Sequence, residues 1–201
     1  YLMRKIILLL TLLPFLAIAK TSSVVYNVTN NQVIQGELSS QEVSIASISK
    51  LMTVYTVLTY EQDLDEKLVV KGRKLNNSKV STGMVVTRRE LIDLALIASD
   101  NTAAMTLAEH FPGGMPYFVY IMNKNAEDLK MIHTGFVEPT GLSPMNYSSV
   151  HDVVILTKAV SEFKQVQDAA KTQKEVKAHA EGVKTIKKVE HKRKVVREGN
   201  K

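Results

Sequence analysis

Cysteine is missing from the sequence altogether, which excludes both a disulfide framework and a thiolate metal site. The five histidines (His110, His133, His151, His179 and His191) never fall at His-x-x-x-His or His-Glu-x-x-His spacing, so a zinc enzyme is not expected and each reads as a surface or partly buried residue. Glycine (9) and proline (5) are sparse in 201 residues, while 45% are hydrophobic and 23% charged. One well-cored globular domain with a small appendage fits that balance. A basic body is also lacking. The net charge of +6 comes from residues 164–201, where 12 Lys and Arg stand against 5 Asp and Glu, leaving residues 1–163 at −1. A tail with that surplus, including His191-Lys192-Arg193-Lys194, reads as a solvated strand edge rather than a nucleic-acid patch.

What is present starts with Met3-Arg4-Lys5, the apolar run Ile6 to Leu13, and small residues Ala17 and Ala19. These are the three parts of a secretory signal, so residues 1–19 are expected to be removed before Lys20 and residues 20–201 exported. The apolar run is too short to cross a bilayer comfortably, and an uncleaved anchor is the alternative.

Ser23 to Gly36 holds two β-rich runs around Thr29-Asn30-Asn31, a hairpin pattern. Leu68 to Lys71 is a short strand candidate, and Lys74 to Gly83 a polar loop. Thr87-Arg88-Arg89-Glu90 has the capping-box spacing and leads into the apolar run Leu91 to Ala98, which ends at Ser99-Asp100-Asn101. A helix from Thr102 to Phe111 is stopped by Pro112-Gly113-Gly114, and another begins around Pro116 with Phe118, Ile121, Met122, Asn125, Ala126 and Leu129 on one stripe. Thr134 to Tyr147 is an irregular loop, Ser149 starts a helix to about Phe163, and Glu175 to Val189 can form a second hairpin.

The chemistry-bearing stretch is Ser47-Ile48-Ser49-Lys50, which opens the apolar run Leu51 to Leu58. On a helix, Ser47 and Lys50 share one face a single turn apart. A lysine amine desolvated by apolar neighbours has a lowered pKa and can take the proton of a serine hydroxyl, while the helix start favours negative charge developing beside it. The plainer alternative is a capping serine and a lysine that snorkels to water.

Ser-x-x-Lys and Ser-Asp-Asn together are two of the three sequence elements of penicillin-binding proteins and class A β-lactamases. With Ala46 to Thr53, Leu94 to Ala104, Phe111 to Gly114 and Phe136 to Ser143, the chain from Lys20 to Phe163 resembles the low-molecular-mass D-alanyl-D-alanine peptidases. The last stretch looks closest to their endopeptidase branch. The resemblance implies an α+β serine DD-peptidase/β-lactamase-like fold, with a helical region packed on an antiparallel sheet built from the N-terminal hairpin and C-terminal strands.

It also implies that Ser47 is acylated, Lys50 is its general base, Ser99 relays protons to the leaving group, and Asn101 binds the substrate backbone and helps orient Lys50. Asp100 would be structural. The implied partners are peptidoglycan stem peptides, with β-lactams as inhibitors and no cofactor, metal or nucleic acid. The implied setting is periplasmic or cell-wall-facing, with peripheral membrane or wall association allowed. A catalytically inert binding relative is the second reading, and a β-lactamase using Glu138 the third.

The third element of the signature, Lys-Thr-Gly, does not occur in the sequence. Lys184-Thr185-Ile186 is the nearest string, and its isoleucine would project a branched side chain where a backbone must approach substrate closely. Lys174-Glu175-Val176 and Val195 to Asn200 resemble the parts that precede Lys-Thr-Gly in the family, so the chain is expected to stop short of that strand and to leave a sheet edge unpaired.

Overall fold

One helix, α1 (Ser49–Thr59), is buried nearly all round, with Met52, Val54 and Val57 fully enclosed. A helix with apolar side chains on several faces has to be surrounded, and each fully buried aliphatic side chain contributes about 1.5–3 kcal/mol to keeping it so. The surrounding elements are α2 (Arg88–Ile97), α3 (Asn101–Glu109), α4 (Gly114–Asp128) and α5 (Val150–Ser161), each of which packs on α1. The computed structural model describes residues 23–173 apart from 28, 29, 73 and 77. Neither the signal-like leader nor the proposed hairpin at 175–189 lies within the described residues.

Six short strands form three separate antiparallel pairs among the described residues. β1 (Val24–Asn27) and β2 (Gln32–Gly36) are the expected hairpin. β3 (Val43–Ser44) pairs with β6 (Tyr147–Ser148), and β4 (Lys67–Val69) with β5 (Val85–Thr87). Strand β5 was not legible in the sequence, because three residues running straight into a helix cap give no alternation to read. A further helical stretch over 164–173 follows α5 and had no counterpart in the sequence reading. No helix among the described residues is long and apolar enough to cross a membrane.

The helix starts are chemically defined. Thr87 and Glu90 form the full capping box of α2: the hydroxyl accepts from the Glu90 N–H while the Glu90 carboxylate accepts from the Thr87 N–H. Ser149 caps α5 by accepting from the Asp152 N–H at 3.1 Å. The helical stripe expected on α4 also forms, with Phe118, Met122 and Ala126 buried.

Asp100 does more than cap α3. Its carboxylate, 1% exposed, accepts from the Ala103 N–H, the Ser78 hydroxyl and the Lys79 N–H, tying the polar loop before β5 to the α2–α3 junction. Replacing Asp100 by Ala should therefore strand three donors and destabilise the fold by about 2–4 kcal/mol. The expected reading is a lower urea midpoint with an unchanged slope; a midpoint within experimental error of wild type would refute the structural role.

Candidate active site

Ser47 does not sit inside α1 but in the short 3-10 turn Ala46–Ile48 that feeds it. Its side chain is exposed, whereas Lys50, in the first turn of α1, is 2% exposed. The Lys50 Nζ donates to Ser47 Oγ at 3.1 Å and to the carbonyl oxygen of Thr140 at 2.7 Å. Burial is the largest influence on the Lys50 amine and pushes its pKa below the ordinary lysine range, opposed by the nearby Glu138 and Asp100 carboxylates. An amine so placed can exist neutral, keep one N–H on Thr140 and present its lone pair to the serine hydroxyl.

The turn is held under strain. Ala46 has φ +44°, a left-handed conformation that side chains with a Cβ rarely adopt. Beside it Gly141, at φ +79°, brings its backbone so close that an added Cβ would lie 1.8 Å from the Ala46 carbonyl oxygen. Glycine is required there on both counts, for its conformation and for the close approach.

Gly141 belongs to the loop between α4 and β6, which is organised by two side chains. The Glu138 carboxylate accepts five hydrogen bonds: from Thr140 N (2.7 Å), Thr140 Oγ1 (2.5 Å), Gly141 N (2.6 Å), Ser143 N (3.3 Å) and Asn146 Nδ2 (3.2 Å). Two oxygens offer about four lone-pair directions, so these donors saturate the group. Glu138 is thus a loop knot, with no oxygen left to activate water as a β-lactamase glutamate would. Asn146, fully buried, accepts from Val137 N (2.8 Å) and donates to Glu138 O (2.8 Å) and to Ser49 Oγ (3.0 Å) on α1.

The other two sequence candidates lie where α2 hands over to α3. Ser99, exposed and with φ +52°, is the last residue before the Asp100 cap, and Asn101 is the first of α3. Both helices pack on α1, and Asp100 is near enough to act on the charge of Lys50. Ser47 and Lys50 are therefore in contact, while neither Ser99 nor Asn101 hydrogen-bonds to either of them. The orienting partner of Lys50 is the Thr140 carbonyl, not Asn101. The Asn101 Oδ1 is buried without a hydrogen-bond partner, an acceptor left open at a cost of about 1–3 kcal/mol.

Thr140, Gly141 and Asn146 were not singled out from the sequence as members of the site. No side-chain pattern announces a backbone carbonyl as a ligand. The glycine inside Pro139-Thr140-Gly141-Leu142 was the one available hint. No group of three or more His, Cys, Asp or Glu that could hold a metal ion occurs among the described residues.

Known proteins resemble this chain along most of its length. The profile of a family described as D-alanyl-D-alanine carboxypeptidase matches residues 12–200. A D-alanyl-D-alanine endopeptidase of Escherichia coli (strain K12) is 37% identical over 164 residues, covering 79% of this chain and 53% of that protein. One from Pseudomonas aeruginosa is 37% identical over 151 residues, covering 73% and 49%. The chain thus spans about half the length of these curated relatives. Among solved structures, penicillin-binding protein D2 from Listeria monocytogenes in its ampicillin-bound form superposes with a TM-score of 0.60 at 29% identity, over 69% of this chain and 60% of that one. The Streptomyces K15 DD-transpeptidase gives 0.66 at 20% identity over 75% and 65%, a likeness of fold alone.

Close packing at Gly141 gives a direct test of the geometry. Gly141→Ala should cost at least about 2 kcal/mol, from an L-residue at positive φ together with a backbone clash. It should also displace the Ala46–Ile48 turn, read as a lowered Tm and shifted backbone resonances at Ala46 and Ser47. A variant with wild-type Tm and unmoved resonances would contradict the close approach.

Proposed function

The chain belongs to the D-alanyl-D-alanine carboxypeptidase family, and from that premise we propose that it is a serine peptidase cleaving D-alanyl bonds of peptidoglycan peptides through an acyl-enzyme on Ser47. The observation that carries this reading is the 3.1 Å contact between Ser47 Oγ and the buried Lys50 amine.

Neutral Lys50 takes the hydroxyl proton as Oγ attacks the carbonyl carbon of the D-alanyl bond. The oxyanion develops beside the helix start, whose N–H groups favour negative charge. The C–N bond then breaks as the leaving amine receives a proton, relayed through Ser99, and an ester joins Ser47 to the acyl group. Water attacks that ester, Oγ regains its proton, and the shortened peptide leaves as a carboxylic acid. Asn101 is assigned the substrate-backbone hydrogen bond by the family resemblance, and its Oδ1, buried without a partner, would have to be uncovered to accept a substrate N–H. No step requires a metal or organic cofactor.

β-Lactams would acylate the same hydroxyl, since a strained cyclic amide presents the same carbonyl to it. We assign residues 1–19 as a secretory signal and the remainder to a cell-wall-facing compartment. Carboxypeptidase and endopeptidase action share this chemistry and differ in which D-alanyl bond is presented.

The second reading is an inert relative that binds wall peptides without turning them over. It is favoured by the position of Ser99 and Asn101, neither of which hydrogen-bonds to Ser47 or Lys50.

Purified protein incubated with fluorescent penicillin should carry the label covalently. Ser47→Ala should carry none, and Lys50→Ala should react roughly 100- to 10,000-fold more slowly. Equal labelling of wild type and Ser47→Ala, or none in either, would defeat the proposal. The pH dependence has a definite sign. Protonated below its pKa, Lys50 cannot accept the hydroxyl proton, so acylation should rise with pH along a limb centred below the usual lysine range. A profile flat from pH 6 to 10 would exclude Lys50 as the base.

A further inference from the structure

We propose that Glu138 and Asn146 are positioning residues, clamping the Thr140 carbonyl onto Lys50 and so fixing the amine against Ser47. The inference rests on the peptidase reading for its catalytic meaning, but the clamp itself is a matter of geometry.

The loop from Glu138 to Asn146 meets the nucleophile turn and the first turns of α1 at five places. Asn146 O accepts from Ile45 N at 3.2 Å, immediately before the turn, and Asn146 Nδ2 donates to Ser49 Oγ at 3.0 Å. The consecutive carbonyls of Pro139 and Thr140 accept from Thr53 Oγ1 (2.6 Å) and Lys50 Nζ (2.7 Å), which stand one turn apart on α1. Gly141 packs against Ala46. Ser49, Lys50 and Thr53 thus spend polar groups on this loop, and all three are buried.

What gives the loop its shape is the Glu138 carboxylate, which gathers the N–H groups of Thr140, Gly141 and Ser143 onto one point, and Asn146, which closes the ring back to Glu138 O. With those N–H groups drawn inward, the Thr140 carbonyl faces α1. Two carboxylates lie near the amine: Glu138 from the loop and Asp100 from the start of α3. Glu138 therefore acts on Lys50 twice, through the carbonyl it aims and through its charge. A loosened loop would admit water, hold the amine protonated and let it turn away from Ser47.

Two variants separate these effects. In Glu138→Gln the shape is nearly kept while the charge and one acceptor are lost. Lys50 should then titrate at lower pH, moving the rising limb of penicillin acylation down, and the plateau should fall about tenfold for a lost buried hydrogen-bonding partner. In Asn146→Ala the charge stays and the closure goes, so the plateau should fall by about the same factor while the limb moves up as water reaches the amine. A purely structural role would lower Tm in both and leave both limbs in place, which would overturn the proposal.

Lys50 is also to be followed directly through its Cε resonance over pH, a readout independent of any reaction at Ser47. If the wild type fails to acylate, the peptidase reading falls, and the Lys50 titrations still decide the clamp. In the unmutated chain the Thr140 and Gly141 amide resonances should move with the Lys50 titration, a coupling that requires no variant to fold. Amides indifferent to that titration would refute the clamp.

Discussion

Keeping a primary amine out of water, with hydrogen-bonding partners to hold it there, is the constraint on which the rest of this molecule depends. Lys50 is kept from water because α1 is enclosed by four helices and by the Glu138–Asn146 loop, and that burial lowers its pKa. An isolated buried ammonium would be strongly disfavoured. Here the penalty is moderated by the Thr140 carbonyl and by two carboxylates at the periphery, so the amine is shifted without being stripped of partners. The polar side chains of α1 fit the same pattern. Thr53 and Thr56, which look misplaced on a buried helix, bond Pro139 O and Asn125 Nδ2 and so fasten the loop and α4 to the central helix.

Much of this was legible in the amino-acid order. The Ser47–Lys50 spacing, the Thr87–Glu90 box, the stop at Pro112-Gly113-Gly114 and the stripe of Phe118, Met122 and Ala126 are local patterns, and local patterns are what a sequence displays directly. The structural role of Asp100 came with the family resemblance, and the structure supplies its cause, a carboxylate capping α3. The site's other half was not. Thr140 offers a main-chain oxygen, which every residue type possesses, and Asn146 reaches Ser49 across 97 positions. Glu138 was visible as a glutamate after a suggestive interval, yet only its five donors show that it is committed to the loop.

The two left-handed non-glycine residues near the site share a logic. Ala46 opens the serine turn and Ser99 precedes the α3 cap, and each reverses the chain sharply so that a hydroxyl stands out from the end of an element. Strain of this kind persists only where surroundings over-determine it. Gly141 provides that against Ala46, and the Asp100 network provides it beside Ser99.

The oxygen that steadies Lys50 belongs to a residue 90 positions further along the chain. Without that segment the Lys50 amine would lose its carbonyl partner and part of the burial that lowers its pKa. The setting of the Lys50 amine is thus a property of tertiary structure, not of the local sequence. A segment carrying Ser47 to Lys50 alone would keep the spacing and lose the setting.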